Sequence, residues 1–314
     1  MRAYVPPFRF TSFFSPEDTL LCTIAAEAAL ARARTMRRLN GRALDPLRIV
    51  ELTTGSGLVG LHLLRLEKGS RLIGLDIDET AIETAQHNSR VLELSSRAHF
   101  DQADLWSRKT QAVVADYAPH LLVCNPPYIP EPDDTPLESE AGAGADGTAH
   151  LRRAIDLAQT VHPRAIALSW CSLSDPAEIV GLAESAGYTL NSLFIVAIAD
   201  GEYSGSVREY LRSLPGAYMN EQRETLDAVA SDGAARFAYL LMAGDFSRDG
   251  DDRSGAGDAV RHICETFSKH GVDTLAKVEA PMPVRTWILD RWDEMRLRAA
   301  LHGPVDTQVP VMAT

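Results

Sequence analysis

The amino-acid sequence predicts an α/β fold: a mostly parallel sheet with helices on both of its faces. Three observations carry that prediction. Short apolar runs of strand length alternate with helical segments from Arg48 to Trp170. A glycine-containing loop joins the first of these strands to the first following helix. The composition is that of a globular chain that can bury a sizeable core, with 45% hydrophobic and 24% charged residues. At roughly 150 residues per domain, the 314 residues make one large domain or two modest ones.

The elements follow in order. Ser15-Pro16-Glu17-Asp18 reads as an N-cap, a proline in the first turn, and acids facing the helix dipole. Leu20, Leu21, Ile24, Ala25 and Ala28 then recur at helical spacing. Strands are expected at Arg48 to Leu52, Leu72 to Asp76, Ala98 to Ala103, Leu121 to Cys124, Ala165 to Trp170, Leu190 to Ala197 and Phe237 to Ala243. Helices are expected at Leu58 to Leu66, Glu79 to Leu92, His150 to Val161 and Pro176 to Ala186. Parallel neighbours imply right-handed crossovers.

Two segments break this rhythm. Residues 201–235 interrupt the last two strands and hold two helical patterns, near 206–214 and 220–229. Residues 246–258 are polar and glycine-rich, which reads as a linker. Beyond them, one helix carries Val260, Ile263, Cys264 and Phe267 and closes at Gly271. A second is expected to carry Val284, Ile288, Trp292, Met295 and Ala299. The organisation is then an N-terminal segment with the entry helix (1–45), the α/β domain (46–245) with its insertion, the linker, and a helical extension docked on the core (259–314).

Charge and cysteine usage exclude several classes. Thirty-one basic residues against 43 acidic ones give a net charge of −12. That balance argues against general nucleic-acid or anionic-membrane binding. Cys22, Cys124, Cys171 and Cys264 are scattered, with no Cys/His cluster at zinc spacing, so no metal is expected. They read as reduced, buried thiols of a cytoplasmic protein. No apolar run approaches the roughly 20 residues needed to span a bilayer, and the first residues lack a secretory pattern.

The chemistry concentrates at the ends of the first four strands. Glu51-Leu52-Thr53-Thr54-Gly55-Ser56-Gly57 closes the first strand and opens a helix, where glycines let the backbone approach a ligand. Asp76 ends the second strand, where an acid can hold a ribose diol. Asp104-Leu105-Trp106 ends the third, where a carboxylate and an aromatic ring suit an adenine. Asn125-Pro126-Pro127-Tyr128 ends the fourth. Consecutive prolines cannot donate hydrogen bonds and present rigid carbonyls. With the Asn125 side chain and the Tyr128 ring, they can grip an –NH2 group while a flat substrate stacks.

This set resembles the class I S-adenosylmethionine (SAM)-dependent methyltransferases of the HemK, or release-factor glutamine methyltransferase, family. The resemblance runs from about Phe13 to Ala243 and includes Ser15 to Thr19 and Gly144-Ala145-Asp146-Gly147. It implies a Rossmann-like seven-stranded sheet and SAM as cofactor. It places Glu51, Gly55 and Gly57 at the methionine part, Asp76 at the ribose, and Asp104 with Leu105 at the adenine. Thr19, Thr53, Ile77 and Asn125 complete the implied cofactor contacts. Asn125, Pro126 and Tyr128 form the catalytic set, with Tyr128 also contacting substrate. The family usually has glycine where Thr53 stands, and its bacterial members carry an N-terminal helical domain that has no match here.

The function expected on these grounds is methylation of an amine or amide nitrogen in a small molecule or peptide. A protein glutamine is the second reading. A SAM-binding enzyme that transfers another group is the third, and a nucleobase amine is disfavoured by the charge. The 201–235 insertion is expected to roof the acceptor pocket with Tyr203, Tyr210 and Tyr218. A homodimer contact is the alternative use of that insertion.

Overall fold

The computed structural model describes residues 8–10, 15–39, 41, 46–132, 142–199, 207–219, 237–248, 255–271, 275 and 279–288. Helix α1 (Pro16–Leu39) is followed by β1 (Arg48–Leu52), α2 (Leu58–Leu66), β2 (Arg71–Asp76), α3 (Glu79–Val91), β3 (Ala98–Gln102), α4 (Arg108–Tyr117), β4 (Leu121–Cys124), α5 (Ala149–Val161), β5 (Ala165–Cys171), α6 (Pro176–Ser185) and β6 (Thr189–Ala199). The chain continues through α7 (Arg208–Arg212), β7 (Tyr218–Met219), β8 (Phe237–Ser247), α8 (Ala256–His270) and β9 (Val284–Ile288).

The strands form one sheet in the order β3-β2-β1-β4-β5-β8-β6-β9, with β7 added on β8. Strands β1 to β5 run parallel, and β8 lies antiparallel between β5 and β6. This is a doubly wound, Rossmann-like sheet whose strand order reverses between β1 and β4. Ligand crevices open at such a switch point, outside the carboxyl ends of the strands. The register makes this concrete: Leu52 pairs with Cys124, so Thr53 and Asn125 leave the sheet side by side.

The local chemistry explains the elements. Strands β4 and β5 are buried along their whole length, as central strands covered on both faces must be. Helices α3, α4 and α6 start at Asp78, Ser107 and Asp175, each accepting a backbone N–H of the first turn. Helix α1 lies against β5, β8 and β6. Its inner face is Leu21, Cys22, Ala25, Ala26, Ala29, Leu30 and Ala33, mostly small side chains that allow close approach to the sheet. An ion pair at 3.1 Å between Arg32 and the buried Asp245 of β8 pins its middle.

Several sequence expectations need correction. Among the described residues the sheet has nine strands, not seven. Residues 284–288 form β9, parallel to β6, and not the start of a second tail helix. Val284 and Ile288 have helical spacing, but Pro281 and Pro283 stand just before them and Val-Arg-Thr-Trp-Ile favours an extended chain. Helix α4 was not anticipated. The linker is shorter than 246–258, because β8 runs through Ser247 with Phe246 buried, and α8 begins at Ala256. The expected helix at 220–229, Tyr203, and the tail residues beyond 288 lie outside the described residues.

Helix α8 buries Val260, Ile263, Cys264 and Phe267 and packs on α6 and β7. All four cysteines are buried and free. Among the described residues, no helix is long and apolar enough to cross a membrane, and no group of three or more His, Cys, Asp or Glu side chains could hold a metal.

Candidate active site

The loop after β1 is built around two glycines and one strained threonine. Gly55 and Gly57 have φ of 52° and 73°. Gly57 is also the N-cap of α2, and a Cβ there would meet Ala85 and Phe100 at 3.1 Å. A Cβ at Gly55 would meet nothing within 4 Å, so this glycine faces open space in the crevice. Thr53 adopts φ 52°, a left-handed conformation that is costly for a β-branched residue. Its hydroxyl donates to the carbonyl of Leu52 at 2.6 Å.

Glu51 holds this loop from below. Its Oε2 accepts from the Thr54 hydroxyl at 2.6 Å, and the carboxylate also takes the backbone N–H of Gly60. Burial pushes its pKa up to about 7. Asp76, at the end of β2, accepts from Gly55 N–H at 2.8 Å through Oδ2 and from Asp78 N–H at 3.0 Å through Oδ1. The Ile77 N–H bonds the carboxylate as well, and of its roughly four acceptor positions one is left over. Burial raises the Asp76 pKa as well.

Ile77 and Trp106, just beyond β2 and β3, are 61% and 51% exposed. They belong to the few large apolar side chains left in solvent among the described residues, and they stand at adjacent strand ends. Trp106 is braced edge-on by His150, with ring centroids 4.6 Å apart. Asp104 is exposed, and its Oδ1 accepts from Trp106 N–H at 2.8 Å. Leu105 is buried, and its carbonyl accepts from Arg153 at 3.1 Å. The residues expected to bracket ribose and adenine therefore share one edge of the sheet.

The loop after β4 carries the most distinctive feature. Asn125 donates from Nδ2 to Oδ2 of Asp18 at 3.3 Å. Its Oδ1 is buried and accepts no hydrogen bond. Among the buried side-chain polar atoms left without a hydrogen bond, this one stands at the switch point of the sheet, where a ligand can reach it. Tyr128 is buried, and its hydroxyl bonds Asp18. Asp18 is 5% exposed, and burial pushes its pKa up to about 7, with neighbouring Glu17 adding to the rise. Pro126 is buried and Pro127 half-buried. Gly147 (φ 69°) presses on this loop: a Cβ there would lie 2.5 Å from the Tyr128 carbonyl.

Thr19 sits one residue past Asp18 in the first turn of α1, its N–H on Ser15 and its carbonyl taking the Thr23 hydroxyl at 2.7 Å. Within the insertion, the Tyr210 hydroxyl donates to the carbonyl of Ala145 at 3.0 Å, and Ser172 donates to that of Gly216 at 2.7 Å. This stretch thus lies at the carboxyl end of β5, beside the 144–147 turn. Tyr218 is turned away from the expected roof: its ring packs on Phe267 of α8 at 5.7 Å. The sequence reading missed Asp18 as a site residue. It looked like one of two dipole-facing acids, and nothing local reveals that its side chain is buried.

No protein-family profile matches the chain. It is 35% identical over 109 residues to "Release factor glutamine methyltransferase" of Rhodospirillum rubrum, which covers 32% of each chain. It is 33% identical over 132 residues to the protein of the same name from Chlorobaculum tepidum, covering 41% of this chain and 44% of that one. The chain thus spans less than half the length of these curated relatives. Among solved structures, a SAM-dependent methyltransferase from Agrobacterium tumefaciens is 14% identical, with a TM-score of 0.43, over 77% of this chain and 66% of that one. In sequence, the chain is similar to release factor glutamine methyltransferases.

Proposed function

We propose that the chain is a SAM-dependent methyltransferase that methylates an amine or amide nitrogen of a small molecule or peptide. The observation that carries this reading is the buried, unpartnered Oδ1 of Asn125 at the switch point of the sheet. An oxygen so placed needs an N–H to accept. The relatives' names supply one acceptor of this chemistry, a glutamine amide in a protein, and that is the second reading.

The residues around the crevice fit SAM. Gly55 leaves room beside a carboxylate with spare acceptor capacity, and Ile77 and Trp106 offer apolar surface where a base would lie. When bound, SAM supplies a methyl group on a sulfonium centre. The protein's part is orientation and electrostatics. An amide or aromatic amine has a delocalised lone pair and is a poor nucleophile. Asn125 Oδ1 and a carbonyl of the Pro126-Pro127 stretch would grip its two hydrogens and aim the lone pair across the crevice. They would also stabilise the positive charge that grows on the nitrogen. Tyr128, Asp18 and Gly147 hold that loop in place. The insertion, through Tyr210 and the 144–147 turn, stands where it would flank the acceptor, while Tyr203 lies outside the described residues.

The test is product analysis. Purified protein is incubated with SAM and panels of free amines, glutamine-containing peptides and nucleosides. Equal amounts of S-adenosylhomocysteine and an N-methylated acceptor support the reading. Methylthioadenosine as the product replaces it with aminocarboxypropyl transfer.

A further inference from the structure

Asn125 has two ends, and only one is bound. Its Nδ2 faces Oδ2 of Asp18, the sense in which a donor meets an acceptor. The other end, Oδ1, is buried and empty. Asp18 also receives the Tyr128 hydroxyl, so one carboxylate ties down both side chains of the Asn-Pro-Pro-Tyr loop. Asp18 is itself fixed. It lies in the first turn of α1, its N–H reaches the Ser15 hydroxyl at 3.4 Å, and α1 is packed along β5 and β8.

We propose that Asp18 is the positioning residue of the acceptor site, holding the Asn125 amide in the sense that presents Oδ1 to the incoming nitrogen. This rests on the reading of Asn125 as the acceptor of the substrate N–H. A free amide could turn its NH2 toward a substrate NH2, and two donors would then face each other. The carboxylate behind Nδ2 forbids that sense. It also polarises the amide, which strengthens Oδ1 as an acceptor for a nitrogen that gains positive charge. Asp18 touches neither substrate nor cofactor in this scheme and acts through Asn125.

The test avoids the unidentified acceptor by using sinefungin, a SAM analogue with an amine where SAM carries the transferable methyl. Its affinity is compared by calorimetry with that of S-adenosylhomocysteine, which has nothing at that position. In the parent, the ratio should favour sinefungin. Asp18→Asn removes the charge and leaves one acceptor oxygen for two donors, Asn125 Nδ2 and the Tyr128 hydroxyl, which loosens the hold on Asn125. The ratio should fall by about tenfold, the effect of one charge-assisted hydrogen bond, while S-adenosylhomocysteine binds as before. Asp18→Ala removes both acceptor oxygens and should lower the ratio at least as much. The double variant Asp18→Asn with Asn125→Asp restores a donor–acceptor pair with a free oxygen and should recover the ratio.

The proposal is overturned if Asn125→Ala collapses the ratio but both Asp18 variants keep the parental value. The reading of Asn125 would then survive alone. If the parent and Asn125→Ala share one ratio, Asn125 does not face the methyl position and both readings fall.

Discussion

The backbone N–H of Gly55 donates to Oδ2 of Asp76 at 2.8 Å, joining the loop after β1 to the end of β2. Gly55 faces open space at this point, and only a residue tolerant of φ 52° makes the bond without strain. The contact makes Asp76 shape the glycine loop, and under the proposed function its remaining acceptor capacity would serve a ribose.

Asp76→Ala should therefore weaken SAM by more than the loss of one contact. A diol left without its acceptor costs about 1–3 kcal/mol, or roughly fivefold to 150-fold in affinity. Asp76→Asn, which keeps one oxygen, should lie between parent and alanine. Calorimetry giving the same affinity for all three would remove Asp76 from the cofactor site.

Gly147→Ala should act on the other half of the site. Its Cβ would press on the Tyr128 carbonyl at 2.5 Å, and the residue has φ 69°. The displaced loop should lower turnover by tenfold or more, about the effect of a small misplacement at a reacting centre. SAM affinity should change little, because the Gly55–Asp76 end of the site does not touch this loop. Weakened SAM binding with normal turnover would contradict this division of the site.

Thr53→Gly should raise stability. A left-handed conformation costs an L-residue about 1–2 kcal/mol, and the extra chain entropy of glycine gives back only about 0.5–1 kcal/mol. The expected gain is about 1 kcal/mol in denaturant unfolding. A lower midpoint for the glycine variant would mean that the Thr53 hydroxyl bond to Leu52 outweighs the strain.

Asp18 and Glu51 should both make the fold less stable as pH rises. Burial raises each to about 7, above the usual carboxylate range, so the folded state holds protons that the unfolded chain has lost. Their contribution is greatest below the unfolded pKa of about 4 and declines through about pH 7. The slope for each group is about 1.4 kcal/mol per pH unit at its steepest. Asp18→Asn removes one group, so thermal melts should show this variant gaining on the parent between pH 5 and pH 8. A constant difference would place the Asp18 pKa in the ordinary range.

Much of this was legible in the residues. Alternating apolar strands and helical periodicities carry the order from α1 to β6, α4 excepted, because each signal is local: helices expected from Glu79 and Pro176 begin there. Gly55, Asp76, Trp106 and Asn125 are legible as strand-end residues for the same reason, and they stand at or just beyond the ends of β1, β2, β3 and β4. Contacts between distant segments were not legible. Asp18 meets Asn125 across 107 positions, and no spacing rule reports that. Val284 to Ile288 were read as helix because their spacing fits one. The open edge of β6 made them a strand, which is a tertiary effect. Tyr218 looked like a roof over the site until Phe267 of α8 claimed its ring.

One measurement bears most directly on the chemistry: mass spectrometry of acceptors incubated with trideuteromethyl-SAM and either the parent chain or Asn125→Ala. The parent should place the labelled methyl on a nitrogen and release S-adenosylhomocysteine in equal amount. Asn125→Ala should bind SAM normally and lose this product by a hundredfold or more, the scale of removing one preorganised hydrogen-bonding group. A label on carbon or oxygen, or an alanine variant as active as the parent, would contradict methyl transfer to a nitrogen held by Asn125.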